Sequence, residues 1–273
     1  MRAHHVSLVA TLFVVTSCTK QAPTASEQSL RIISLVPSVT ELLFEVGAGD
    51  QVVGVTTWCL YPPEAQEREK IGGLIVDTEK VLSLRPDLIL SSPIARKASG
   101  DLQRLGLRVV VIETNTFEEI AEQLRRIGGL TGHAQEGDAA ADRLLARVRA
   151  VEARVVGLQQ PPVFFETGGD PILTAGPRSY PGDAIRRAGG QNIMYDLEQP
   201  WSTVSWEVVL KRDPEVILIA HGSQTIPGRA GWDRLRAVQA GRVHHVPKEA
   251  FYYPTPRLAH GLELATRLFH EQD

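Results

Sequence analysis

Glu79-Lys-Val-Leu-Ser-Leu-Arg-Pro-Asp-Leu-Ile-Leu90 and Glu207-Val-Val-Leu-Lys-Arg-Asp-Pro-Glu-Val-Ile-Leu218 are two passes of one pattern. A single offset carries Glu79 onto Glu207, Val81 onto Val209, Leu82 onto Leu210 and Pro86 onto Pro214. Proline lacks an N–H and bars the residue before it from helical backbone, so a helix opened by the glutamate must stop there. The aliphatic triplet that follows reads as a short buried strand. A helix, a proline stop and a strand, repeated with the leading glutamate in place, predict a duplicated βα lobe.

Working outward, residues 31–35, 52–55, 88–90 and 109–112 read as strands. Helices are expected over 40–46, 79–84 and 117–127, the last closing at Gly128-Gly129. The second half repeats this, with strands over 163–166, 216–219 and 243–246 and helices over 183–188, 207–211 and 257–269. Alternating strands and helices imply parallel sheets covered by helices. Between the halves, Leu144, Leu145, Val148, Val151 and Val155 fall near helical spacing, and Pro161-Pro162 ends the run. About 25 helical residues span roughly 40 Å, enough to bridge two lobes stiffly. The expected fold class is α/β: two Rossmann-like lobes with central parallel sheets joined by one long rigid helix. The divisions are 30–132 for the N-terminal lobe, 133–160 for the connecting helix and 161–273 for the C-terminal lobe.

The first residues point to export. Arg2, His4 and His5 precede an apolar stretch over 6–15, then Thr16-Ser17-Cys18. A bilayer needs roughly 20 apolar residues, so this stretch fits the core of a signal peptide over 1–17 instead. Val15-Thr16-Ser17-Cys18 also resembles a bacterial lipobox, which makes Cys18 the expected lipidation site and membrane anchor. Residues 18–29 then read as a polar tether. Of the two cysteines, Cys59 is left alone, and no internal disulfide is expected. The net charge of −3 without a Lys/Arg run argues against nucleic acid as a partner.

Ligands of parallel α/β sheets collect beyond the carboxyl ends of the strands. Val36-Pro37-Ser38, Thr56-Thr57-Trp58-Cys59, Ser91-Ser92-Pro93 and Glu113-Thr114-Asn115 lie there in the first lobe. Thr167-Gly168-Gly169, His221-Gly222 and residues 248–253 do so in the second. Trp58, Trp201 and the run Phe251-Tyr252-Tyr253 put large aromatics on expected loops, where rigid faces bind bulky apolar ligands at low entropy cost. The phosphate-loop, nucleophile-elbow and H-E-x-x-H patterns are missing from the chain. An exported metal-dependent hydrolase built on His221 would need two further ligands, for which Glu113, Glu166 and Glu249 are the candidates nearby. His244-His245 sits in an expected strand, whose side chains alternate in direction, a poor arrangement for joint metal binding. Cys59 suits a soft metal as thiolate, or a core position as a small hydrophobe.

These residues carry a resemblance over essentially the whole mature chain. Ile32-Ile-Ser-Leu-Val-Pro-Ser-Val-Thr-Glu-Leu42, Val53-Gly-Val-Thr-Thr-Trp-Cys-Leu-Tyr-Pro-Pro-Glu64 and Arg85-Pro-Asp-Leu-Ile-Leu90 resemble the helical-backbone metal-chelate receptors. These are class III periplasmic binding proteins of ABC importers, and Pro200-Trp-Ser-Thr-Val-Ser-Trp-Glu207 and Pro256-Arg257 extend the likeness. The resemblance implies a binding protein without enzymatic turnover or cofactor, expected to be a monomer. Its ligand would be cobalamin or another corrinoid, with haem or a ferric siderophore as the alternative. It implies a ligand site at Pro37, Ser38, Trp58 and Trp201, to which the strand-end reading adds Cys59, Thr167, Phe251, Tyr252 and Tyr253, with no resident metal. It also implies that Glu79 and Glu207 dock into arginine pockets of a two-fold symmetric permease. One departure stands out: cobalamin receptors carry charged residues where this chain has Phe251-Tyr252-Tyr253, and tyrosines there also suit haem with a phenolate ligand.

Overall fold

The computed structural model describes residues 29–73, 75–222 and 228–271. The expected signal peptide over 1–17, the expected lipidation site Cys18 and the expected tether as far as residue 28 therefore lie outside the described residues.

Ile32, Ile33 and Ser34 are buried on both faces, as a strand inside a helix-covered parallel sheet must be. They form β1 (Ile32–Ser34), followed by α1 (Pro37–Glu45), β2 (Val52–Val55), β3 (Glu69–Lys70), α2 (Thr78–Ser83) and β4 (Leu88–Ser91). Then come α3 (Arg96–Arg104), β5 (Val109–Val111), α4 (Phe117–Thr131) and α5 (Ala134–Val155). The sheet runs β3-β2-β1-β4-β5, with every pairing parallel. Its order reverses between β1 and β4, and a crevice opens beyond the carboxyl ends of strands at such a point. Helix α1 begins at Pro37, not at residue 40, because proline's missing N–H costs nothing in a first turn.

The second lobe comprises β6 (Pro162–Gly169), β7 (Ile172–Ala175), α6 (Tyr180–Arg187), β8 (Gln191–Asn192), β9 (Trp201–Thr203) and α7 (Trp206–Arg212). It closes with β10 (Val216–Ile219), α8 (Arg236–Gln239), β11 (Val243–His245) and α9 (Leu258–His270). Strands β6, β10 and β11 are parallel and repeat β1, β4 and β5. The expected parallel core of the second sheet is present, and two antiparallel strands extend it on one side. Asp170-Pro171 turns β6 back into antiparallel β7, which pairs antiparallel with β9, so this sheet is mixed.

The duplication reaches the backbone itself. Arg85 and Asp213, related by the same offset as the two glutamates, are the only non-glycine residues with positive φ among the described residues, at 45° and 42°. Each ends its helix in the left-handed region directly before a proline, which closes the right-handed path. Arginines then satisfy the freed carbonyls. Arg31 donates to Leu84 O at 2.9 and 2.7 Å, and Arg236 donates to Asp213 O at 2.6 Å.

Helix α4 does not stop at Gly128-Gly129 but runs to Thr131 and is capped by Gly132 at φ 80°. Gly128 serves close packing instead: a Cβ there would lie 2.6 Å from His133 O and 3.0 Å from the Gly137 Cα of α5. Helix α5 is 22 residues, about 33 Å long, and buries Ala141, Leu144, Val148 and Val151. One continuous apolar cluster joins both lobes through α4, α5 and α9. In β6 and β10 alternate residues face opposite sides: Phe165 and Leu218 enter that cluster, while Phe164 and Ile217 enter a second one on the outer face.

Candidate functional site

The loops at the carboxyl ends of β1, β4 and β5 supply one wall of a cleft of about 500 Å³ between the lobes. Val36, Pro37 and Ser38 follow β1, Ser92, Pro93 and Ile94 follow β4, and Ile112 to Asn115 follow β5. The last loop is held firmly. The Thr116 hydroxyl caps α4 by accepting from Glu119 N at 3.1 Å, and the Glu119 carboxylate accepts from Asn115 N at 2.6 Å. Phe117 N donates across the lobe boundary to Asp183 of α6 at 3.1 Å.

The opposite wall is aromatic and hydrogen-bonded in series. Trp201 meets Tyr180 edge-on with ring centres 5.3 Å apart. The Tyr180 hydroxyl donates to Tyr252 O at 2.8 Å, and the Tyr252 hydroxyl donates to Thr167 O at 2.6 Å. Tyr253, Pro200 and Pro254 complete the wall. Burial is the first cause that pushes the Tyr180, Tyr252 and Tyr253 phenols above their ordinary value, and neighbouring tyrosines or the Glu41 carboxylate add to it. All three are therefore neutral hydrogen-bonding groups at physiological pH.

Of the residues expected at the site, Pro37, Ser38, Trp201, Tyr252 and Tyr253 line this cleft. The others lie elsewhere. Cys59 is fully buried, its thiol 3.1 Å from the Thr40 hydroxyl and 3.2 Å from that of Thr56. Phe251 is also fully buried and packs on Phe165 at 5.5 Å. Both are placed in the core because each fills apolar volume beneath its loop, which a loop assignment alone does not reveal. Thr167 is buried and contributes its carbonyl to Tyr252. Trp58 is 57% exposed, with its indole nitrogen beside Gly73, outside the cleft lining. Tyr180, Ile94 and Pro254 line the cleft without having been singled out. For Tyr180 a signal was present: Ser179 caps α6 by accepting from Gly182 N at 3.1 Å, ahead of Pro181 in the first turn.

His221, just beyond β10, faces the buried Glu166. Its ring lies 2.9 Å from Glu166, whose two oxygens accept from Arg229 at 2.7 and 2.8 Å. Among the described residues, no group of three or more His, Cys, Asp or Glu side chains is placed to hold a metal ion. No helix among the described residues is long and apolar enough to cross a membrane.

Glu79 and Glu207 stand away from the cleft, both exposed and both at the second position of their helices, α2 and α7. The Glu207 carboxyl is held below its ordinary value by its own backbone N–H and the Ser205 hydroxyl.

Two lobes, each with a central sheet, and a cleft at their strand ends define a solute-binding protein, and residues 32–250 match the family described as periplasmic binding protein. The chain belongs to that family. The vitamin B12-binding protein of Vibrio cholerae is 32% identical over 241 residues, 85% of this chain and 86% of that protein. The crystal structure of the periplasmic vitamin B12 binding protein BtuF of Vibrio cholerae matches with a TM-score of 0.78 at 29% identity, covering 89% and 98% of the two chains. The ABC transporter substrate-binding lipoprotein YvrC of Bacillus subtilis is 29% identical over 260 residues, 91% of this chain and 82% of that one. The haem-binding protein BhuT, crystallised with two haems, matches with a TM-score of 0.77 at 25% identity, covering 88% and 97%.

Proposed function

We propose that this chain captures cobalamin or a related corrinoid in the interlobe cleft and delivers it to an ABC permease dimer. In this reading residues 1–17 direct export, Cys18 carries the lipid anchor, and residues 30–132 and 161–273 form lobes joined by 133–160. Glu79 and Glu207 dock on the permease, one from each lobe.

The cleft wall carries the reading. Trp201, Tyr180 and four prolines offer rigid apolar faces, while Ser38, Ser92, Thr114 and Asn115 offer hydroxyl and amide partners. A corrin ring edged with amides asks for that mixture. The haem alternative needs a metal ligand, and Tyr252 is poorly suited to it. Its hydroxyl already donates to Thr167 O, and burial opposes the phenolate.

Tryptophan fluorescence tests this directly. Cyanocobalamin at micromolar concentration is expected to quench Trp201, and Trp201→Ala should remove most of that signal. The same substitution should weaken binding, measured by calorimetry, by about 2 kcal/mol, a factor of roughly 30. Quenching by hemin or a ferric siderophore with none by cyanocobalamin would overturn the corrinoid reading.

A further inference from the structure

We infer that this receptor selects ligands by the charge at their edge, accepting amidated, uncharged corrinoids and rejecting those with free carboxylates, and that Glu113 is the selecting residue. The inference rests on the corrinoid reading above and names which members of that class the cleft admits.

Lysine, arginine and histidine are all missing from the lining among the described residues, and Glu113 is its one acidic member. The remaining polar residues, Ser38, Ser92, Thr114 and Asn115, are neutral. A carboxylate on the ligand thus meets no cation in the cleft and one like charge. The guanidinium over the Tyr253 ring is committed elsewhere: Arg257 donates to Glu41 at 2.8 Å and also lies over the Tyr61 ring.

The loop that carries Glu113 is tied down just beyond it by the cap of Thr116, the Glu119 to Asn115 N contact and the bond from Phe117 N to Asp183. A like charge on this loop repels a ligand carboxylate that approaches it, and because Glu113 is exposed salt weakens that repulsion. Towards a peripheral amide the same carboxylate acts as an acceptor for the amide N–H. One group thus attracts the amide and repels the acid, which is how specificity is built from an added penalty.

The test compares cyanocobalamin with its three propionate-derived monocarboxylic acids, each differing from it by one amide hydrolysed to an acid. Affinities are measured by calorimetry at low ionic strength for the native chain, Glu113→Gln and Glu113→Lys. For at least one acid the native chain is expected to bind about tenfold more weakly than cyanocobalamin, allowing for screening at an exposed site. That ratio should fall towards one in Glu113→Gln and invert in Glu113→Lys, and added salt should shrink it in the native chain. If cyanocobalamin binds but every acid binds equally, or the ratio is the same in all three proteins, the selection by Glu113 is wrong and the corrinoid reading stands. If cyanocobalamin itself fails to bind, the corrinoid reading falls and the inference falls with it.

Discussion

Arg257 ties the lobes together beneath the cleft, and its partner shows what that costs. Glu41 of α1 is only 5% exposed and is gripped by two guanidinium nitrogens, while the same cation lies 4.1 Å from the centre of the Tyr61 ring. Burial raises the Glu41 carboxyl above its ordinary value, against the opposing hydrogen bond and charge of Arg257. A carboxyl raised in the folded state binds its proton more tightly folded than unfolded. Its contribution to stability is therefore full below the unfolded value and declines as pH rises through the folded one. Removing Arg257 strips away the opposing pull and widens that window. Arg257→Met should cost about 3 kcal/mol at pH 8 and clearly less at pH 5, as read from urea unfolding. An equal loss at both pH values would assign the effect to packing on Tyr61 and Tyr253 instead of a stranded carboxylate. At this scale the sequence was partly legible. Strand-end segments place Pro37, Ser38, Tyr252 and Tyr253 on the cleft, and Trp201, expected on a loop, reaches it as the first residue of β9, but facing is set by tertiary packing. Phe251 turns inward onto Phe165 while its two neighbours turn outward, and nothing in the run itself marks the difference.

Elements were more legible than residues, because proline and aliphatic runs act through the backbone wherever they stand. The paired stops at Pro86 and Pro214 end α2 and α7 through the same left-handed residue, and the strands that follow sit at equivalent places in the two sheets. Glycine is the weaker sign, since it permits a helix to end without requiring it. Gly128 and Gly129 both lie inside α4, and their surroundings differ sharply. A Cβ at Gly128 would press on the backbone of His133 and Gly137, whereas one at Gly129 meets nothing within 4 Å. Alanine in a helix is favoured over glycine by about 1 kcal/mol. Gly129→Ala should therefore stabilise the protein by about that amount. Gly128→Ala should destabilise it by about 1–3 kcal/mol, because two helix backbones must move apart. Thermal melts of the two variants decide the matter, and a shift in the same direction for both would refute the close helix crossing. The missed β7 hairpin has a similar origin: Gly169-Asp170-Pro171 marks a turn, but the direction of the returning strand depends on the sheet it joins.

For the whole molecule, the joint between the lobes decides how a receptor can signal to a permease. The connector is a helix embedded in a core shared by both lobes, and that core must be broken for a wide hinge motion. Ion pairs reinforce the same joint: Arg147 of α5 holds Glu263 of α9 at 2.9 Å, and Arg187 of α6 holds Glu152 of α5 at 2.6 Å. The spacing between Glu79 and Glu207 is on that ground expected to change little when the cleft fills. A fixed pair of equivalent charges, one per lobe, fits a partner with two-fold symmetry, which offers two equivalent pockets. Exposed charges of this kind set encounter and register more than affinity, so ligand binding should be insensitive to them. The double variant Glu79→Arg/Glu207→Arg is expected to bind cyanocobalamin with the native affinity and to fail in uptake by cells carrying the cognate permease. Each single variant should retain partial uptake, because one of two equivalent contacts survives. Restoring uptake by acidic substitutions in the permease pockets would tie the loss to docking itself. Normal uptake by the double variant would remove both glutamates from the interface and leave them as solvated residues favoured by the helix dipole.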